Sequence, residues 1–260
     1  MNKSLIVWIT GASSGIGEAL ALQWAAPGTQ LILSGRNQQQ LEIVRAQCAN
    51  KGAVVQVIAF DLTRKEEISK AVAQVQSEFP RIDILVNNGG ITQRSKLLDT
   101  PEEVARRIME VDFWGHVNLT QQILPFMIRT GGGKIVVISS LTGLFGFPMR
   151  SIYASAKHAL HGFFETLRLE YFRDNIRVTM VCPGMVKTNI SLHALTSSGK
   201  EHGLMDRGQE RGVRVERCAT RIIHAVNHNR KEVIIGKKRC NYALSKTVSA
   251  LAVLFYCKKD

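Results

Sequence analysis

Tyr153 and Lys157 stand four positions apart in the run Tyr153-Ala154-Ser155-Ala156-Lys157, and Ser140 precedes Tyr153 by thirteen residues, at the end of an apolar stretch. Positions i and i+4 of a helix share one face, so this spacing sets an ammonium beside a phenol. A phenol titrates near pH 10, and lowering that by two units takes about 2.7 kcal/mol. A lysine charge at about 4 Å, in an effective dielectric of about 20, supplies about 4 kcal/mol. One well-placed Lys157 therefore suffices. Ser140, pointing into the same cleft, can hydrogen-bond an oxygen on which charge develops. A Ser, Tyr and Lys so placed suit proton transfer to or from a carbonyl or alcohol oxygen. YxxxK also describes an ordinary amphipathic helix, so the pair takes its meaning from the elements around it.

Those elements alternate. An apolar strand at residues 5–10 runs into Thr10-Gly11-Ala12-Ser13-Ser14-Gly15-Ile16-Gly17 and then a helical pattern at 18–26. Glycines between a buried strand and a helix N-terminus let backbone N–H groups approach a phosphate, and the helix dipole favours its charge. Gly11, Ser13, Ser14, Gly15, Ile16 and Gly17 are thus candidate dinucleotide contacts. A second strand at 31–34 ends in Gly35-Arg36. An acid near this position binds a ribose 2′-hydroxyl, whereas a base accommodates a 2′-phosphate. Arg36 therefore favours NADP over NAD, with Ser34 and Asn37 as further donors.

Residues 37–50 read as a helix and 54–60 as a third strand, with Asp61 and Leu62 after it, Asp61 suited to an adenine amino group. A helix at 66–78 and a fourth strand at 82–86 follow, closed by Asn87-Asn88-Gly89-Gly90, where backbone again approaches ligand. Residues 101–130 read as one long helix with Pro101 in its first turn. The fifth strand (134–139), the helix carrying Tyr153 and Lys157 (152–174), a sixth strand (177–182), a helix (216–227) and a seventh strand (232–235) complete the pattern. Residues 185–214 lack clean periodicity and read as a lid over the substrate. The expected fold is α/β: a doubly wound parallel sheet of the Rossmann kind, three layers α/β/α, about seven strands, ligands at the C-terminal strand ends.

At 260 residues, 45% hydrophobic and 21% charged, the chain has the composition of one globular domain. Residues 1–240 form the expected NAD(P)-binding unit, and 241–260 an apolar tail between basic residues. The five cysteines are widely spaced, without CxxC, and read as reduced thiols, implying a cytoplasmic setting. No signal peptide or membrane-length apolar run is evident. A formal charge of +13 favours anionic ligands or an acidic membrane surface. No nucleic-acid module is present, so nucleic acid is not an expected partner. The tail either lies on an anionic membrane, as a peripheral contact, or packs on protein. The histidines show no metal-ligand pattern, and no metal is expected.

Taken together, the TGxxxGxG turn (10–17), Asp61, the NNxG turn (87–90), Ser140, Tyr153, Lys157 and Pro183-Gly184 with Thr188 beyond resemble the single-domain short-chain dehydrogenase/reductases over almost the whole chain. The resemblance implies Tyr153 as general acid/base, Lys157 as the residue that lowers its pKa and holds the nicotinamide ribose, and Ser140 as the orienter of the substrate oxygen. It implies cofactor contacts from Asn88, Gly89, Pro183, Gly184, Val186 and Thr188, and a homodimer or homotetramer packed through the helices at 101–130 and 152–174. Two positions depart from the family pattern. Gly89 replaces an Ala, which should merely loosen the turn. Asp112 replaces the family's catalytic Asn, whose side chain fixes a helix irregularity. An ionised Asp112 would weaken the field of Lys157 on Tyr153, and an active enzyme with a shifted pH optimum is the expectation.

Between Ser140 and Tyr153, the apolar Phe145 and Phe147 lie either on the domain core or on a substrate pocket. With Met185 and the lid's Ile190, Leu192, Leu195, Leu204 and Met205, they point to an apolar ketone, aldehyde or secondary alcohol of lipid-, steroid-, retinoid- or 3-oxoacyl-like character. The expected function is NADP-dependent hydride transfer on such a substrate. The alternative is a non-catalytic NADP-binding sensor or scaffold of the same fold.

Overall fold

Both faces of a fully parallel sheet must be covered, and the strands of this chain are apolar on both. The computed structural model describes residues 4–236; the tail expectation lies outside them. β1 (Leu5–Thr10), β2 (Thr29–Ser34), β3 (Val54–Val57), β4 (Ile84–Asn87), β5 (Gly133–Ile138), β6 (Ile176–Pro183) and β7 (Glu232–Ile235) form one parallel sheet in the order β3-β2-β1-β4-β5-β6-β7. The chain reverses direction across the sheet between β1 and β4, which opens a crevice at their C-terminal ends.

Alternate residues of each strand feed two cores. Val7 and Ile9 meet α1 (Gly15–Trp24), α2 (Gln38–Ala49) and α8 (Val215–Asn227) on one face. Ile6 and Trp8 meet α3 (Lys65–Glu78), α5 (Gly115–Arg129) and α6 (Ser151–Glu170) on the other. The remaining helices are α4 (Glu102–Met109), before α5, and the short α7 (Arg207–Glu210). Among the described residues no helix is long and apolar enough to cross a membrane.

Three expected boundaries shift for identifiable reasons. The third strand ends at Val57, because beyond it only single bonds persist, from Ile58 N–H to Leu33 O and Phe60 N–H to Gly35 O (3.0 and 3.1 Å). The expected long helix is two helices joined through a π turn at Glu110–Trp114, and Pro101 caps α4 rather than lying inside it. Residues 185–214 are stitched rather than irregular: Val186 pairs with Val213, and Leu195 with both Gln93 and Glu201.

Candidate active site

The nucleotide end is built mainly from glycines that leave no room for a side chain. A Cβ on Gly17 would lie 2.3 Å from Gly11 O, and one on Gly11 would lie 2.7 Å from Gly89 Cα. Gly15 has φ +60°, open to glycine without penalty, and a Cβ there would meet Thr188 at 3.3 Å. The turns after β1, β4 and β6 therefore converge at the strand ends. Thr10 and Asn88 pin them. Thr10 Oγ1 accepts from the N–H groups of Asn88 and Gly89 (3.0 and 3.2 Å), while Asn88 Nδ2 donates to Thr10 O and Gly11 O (2.9 and 3.1 Å). Leu62 packs between Gly89 and Gly115, and Asp61 Oδ1 is held by the Thr63 N–H and hydroxyl (2.9 and 3.0 Å).

Beyond Ser13, an open cleft is lined by Ser13, Arg36 and Asn37. Arg36 is exposed there. Asn37 spends its side-chain oxygen capping α2, accepting from Gln40 N–H at 3.0 Å. The expectation for Ser34 is corrected: its hydroxyl is fully buried and accepts from Trp8 Nε1 at 3.0 Å, so it faces the core rather than a ligand. Glycines closed to any Cβ at a helix N-terminus, with a cationic cleft at the end of β2, fit a dinucleotide carrying an extra phosphate.

At the catalytic end, Lys157 is buried and its ammonium lies 5.6 Å from the centre of the Tyr153 ring. It donates to Ile138 O at 3.2 Å and pairs with Asp112 Oδ2 at 3.4 Å. Asp112 is completely buried, and its Oδ1 accepts from Ile91 N–H at 2.7 Å. Gly90 lies against this pair: a Cβ there would stand 3.4–3.5 Å from both carboxylate oxygens and the ammonium. Ser140 sits at the end of β5, where its Oγ accepts from Thr142 N–H (3.2 Å) and the Thr142 hydroxyl (3.0 Å).

The ionisation of Tyr153 runs opposite to the expectation. Loss of solvent around the phenol raises its pKa above the ordinary value, outweighing the lowering by Lys157; Asp112 raises it further, whereas Ser140 and Arg150 lower it. The physical reason is burial: removing water from around the phenol costs its anion more than Lys157 returns, and Asp112, 3.4 Å from that ammonium, adds to the rise. Burial likewise pushes the Asp112 carboxyl above the usual carboxylate range, against the pull of Lys157 and the Ile91 N–H. His116, one helical turn beyond Asp112, is buried without a hydrogen-bond partner for either ring nitrogen, and desolvation lowers its pKa to about 3.

The proposed substrate residues divide. Phe145 is half-buried, whereas Phe147 and Met185 are exposed beside the cleft. Leu195 is buried against Val104, Ile108 and Ala156, in a cluster that Tyr153 also packs on, and it anchors residues 185–214 to the domain. Pro183 and Val186 are buried. Thr188 is held by Gln209, whose Nε2 donates to Thr188 Oγ1 (3.1 Å) and Val186 O (2.9 Å). Neither Gln209 nor the buried residues Gln93 and Arg150 is marked by any motif; an Arg placed three residues before Tyr153 is the one signal that sequence offers. One turn beyond Lys157 on α6, His161 lies with Glu165 and Glu232 so that their ligand-type atoms are within 4.8 Å of one another, both carboxylates being exposed.

The family model described as short chain dehydrogenase matches residues 5–198. The chain belongs to the short-chain dehydrogenase/reductases. It is 40% identical to Dehydrogenase/reductase SDR family member 7B of Xenopus tropicalis over 241 residues, 90% of this chain and 78% of that protein. A short-chain dehydrogenase from Streptomyces avermitilis superposes with a TM-score of 0.81 at 28% identity, over 98% of this chain and 97% of that one. One from Sphingobium yanoikuyae, in complex with NADPH, gives 0.79 at 26%, over 98% and 96%. This short-chain dehydrogenase/reductase is an NAD(P)-dependent oxidoreductase.

Proposed function

We propose that the protein uses NADPH to reduce the carbonyl of an apolar ketone or aldehyde, with Tyr153 as the proton donor. The observation that carries this reading is the cluster of Ser140, Tyr153, Lys157 and Asp112 at the strand ends beside the glycine cradle. The cofactor, when bound, supplies hydride to the carbonyl carbon. The Gly11 to Gly17 turn holds its pyrophosphate, Arg36 its 2′-phosphate, and Lys157 its ribose. Asn88 and Gly89 shape the turn beside that ribose, and Asp61 and Leu62 flank the adenine. Pro183, Gly184, Val186 and Thr188 would hold the carboxamide. NADPH in the Sphingobium enzyme supports this choice of cofactor.

Tyr153 Oη gives its proton to the carbonyl oxygen, and Ser140 Oγ hydrogen-bonds that oxygen as charge builds. Tyr153 stays protonated through neutral pH, so the form present is the one that can donate. Phe145, Phe147 and Met185 give the substrate side its apolar character. Exposed Trp114, Leu169 and Phe172 on or next to α5 and α6 support a homodimer or homotetramer through those helices, checked by light scattering.

The test is NADPH oxidation against a panel of apolar ketones and aldehydes, with NADH and Tyr153→Phe as controls. Turnover should fall by about a thousandfold or more in Tyr153→Phe while NADPH still binds. Tyr153→Phe turning over like the wild type would overturn the assignment. In the wild type, reduction should stay level through neutral pH and decline as alkali removes the Tyr153 proton.

A further inference from the structure

The helix that carries Tyr153 is capped from outside itself. Its own N-cap residue, Arg150, makes no side-chain cap. The first N–H groups of a helix need partners, and fully buried Gln93 provides one: its Oε1 accepts from Ile152 N–H at 3.0 Å and from Tyr153 N–H at 3.4 Å. The Gln93 amide nitrogen is fixed in turn by Thr100 Oγ1 (2.8 Å) and Ser95 Oγ (3.1 Å).

Arg150 is 7% exposed, and its guanidinium closes the arrangement. Nη1 donates to Gln93 O (2.6 Å) and Thr92 Oγ1 (2.7 Å), and Nη2 to Asp206 Oδ2 (3.0 Å). Burying a guanidinium is costly unless it is paired and hydrogen-bonded. The backbone is strained to do it. Met149, immediately before Arg150, holds φ +62°, a conformation non-glycine residues rarely adopt. Asp206 belongs to the lid and also accepts from Arg94, with an oxygen 2.7 Å from Nη2. The same segment pairs through backbone with the loop that carries Gln93: Leu195 N–H donates to Thr92 O and Arg94 N–H to Leu195 O, both at 2.8 Å.

We propose that Gln93 and Arg150 are positioning residues that hold Tyr153, and that Asp206 ties them to the lid. The buried cap reaches the N–H groups of Ile152 and Tyr153, Arg150 holds that cap through Gln93 O, and Asp206 holds Arg150. The proposal rests on the reading of Tyr153 as proton donor. The charged and titratable groups around the phenol are Lys157 from α6, Asp112 from the π turn, and Arg150 with its partners Asp206 and Arg94. Arg150 acts on Tyr153 in the same direction as Lys157.

The experiment compares the full chain with Gln93→Leu, Arg150→Gln, Arg150→Lys, Asp206→Asn and Tyr153→Phe. Three quantities are read: kcat for 4-nitrobenzaldehyde reduction, NADPH affinity by fluorescence, and the phenolate titration of Tyr153 as the ultraviolet difference from Tyr153→Phe. Gln93→Leu and Arg150→Gln should lose about 10- to 100-fold in kcat with NADPH affinity within about twofold. Arg150→Lys should recover part of that loss, and the Tyr153 titration should move to higher pH in Arg150→Gln. Asp206→Asn should lose kcat by a smaller factor; it carries the test if the buried variants do not fold, and wild-type kcat and titration in it overturn the proposal. Losses matched by equal losses of NADPH affinity would also overturn it, as would an unmoved titration in Arg150→Gln. If the aldehyde is not a substrate, the titration decides alone. Full turnover in Tyr153→Phe sinks the proton-donor reading itself, whereas a dead Tyr153→Phe beside wild-type Gln93→Leu and Arg150→Gln sinks only the positioning role.

Discussion

At the nucleotide end of the cleft the protein is held together by close-packed backbone, and beside the helix that carries Tyr153 by long charged side chains. Gly11 and Gly17 bring main-chain atoms so close that side-chain atoms are excluded. Arg94, Arg150 and Asp206 instead bridge segments more than fifty residues apart through their ends. Backbone cannot give way, so a cradle made of it is stiff and tolerates almost no added atom. An ion-paired side-chain network can lose one member and relax. The difference teaches where this enzyme can vary: the substrate end can be remodelled by degrees, while the nucleotide end either fits or fails.

Gly17→Ala puts that contrast to its hardest test. An added methyl in a helix ordinarily stabilises by about 1 kcal/mol, but this one would lie 2.3 Å from Gly11 O. The overlap costs about 1–3 kcal/mol. NADPH affinity should fall by about 100-fold if that strain is relieved by opening the cradle, and a titration matching wild type would break the comparison.

Arg36→Ala probes the side chain proposed to meet the 2′-phosphate. A charge-assisted hydrogen bond is worth about 1.5–3 kcal/mol, so NADPH should bind about 10- to 100-fold more weakly with NADH unaffected. Parallel weakening of both coenzymes would show that Arg36 does not select the phosphate.

Asp112→Asn acts where the two ends meet. Burial raises the Asp112 carboxyl, so its contribution to stability is fully present below the ordinary carboxylate range and is lost as pH rises through the raised value. Asn does not titrate. The melting temperature of the variant relative to wild type should therefore climb with pH above about 4, on top of any constant offset from leaving Lys157 unpaired. Removing the anion also lowers Tyr153, so the alkaline decline in reduction should begin at lower pH. Superimposable pH–rate profiles would disprove that coupling.

Gly89→Ala is the mildest case. The new methyl would meet Leu62 Cδ1 at 2.6 Å, the far end of a flexible side chain rather than backbone. The cost should stay near about 1 kcal/mol, a shift of about 2–4 °C in melting temperature. A loss as large as that of Gly17→Ala would mean that Leu62 is as rigid as the main chain.

The nucleotide end was readable in the chain because glycine spacing, Arg36 and Asp61 are local statements about strand ends. The sheet was readable because apolar runs alternate with helical patterns. Ser34 misled, since its neighbours in sequence do not reveal that Trp8 claims its hydroxyl. The Tyr153 ionisation misled for a related reason: the spacing to Lys157 specifies an attraction, whereas desolvation depends on everything packed around the phenol. Gln93, Arg150 and Asp206 carry no motif at all. Their pairing depends on a left-handed Met149 and on a lid folding back across the loop after β4.

The π turn at Glu110–Trp114 also sets a phase. One residue more than an α-helical turn delays everything beyond it by about 100° of rotation. Before the turn, Val104 and Ile108 face the lid's Leu195; beyond it, Thr120 faces the amide of Asn87 at the end of β4. Deleting a single residue here would restore regular winding and leave both helices intact, yet they would no longer agree on which way is inward.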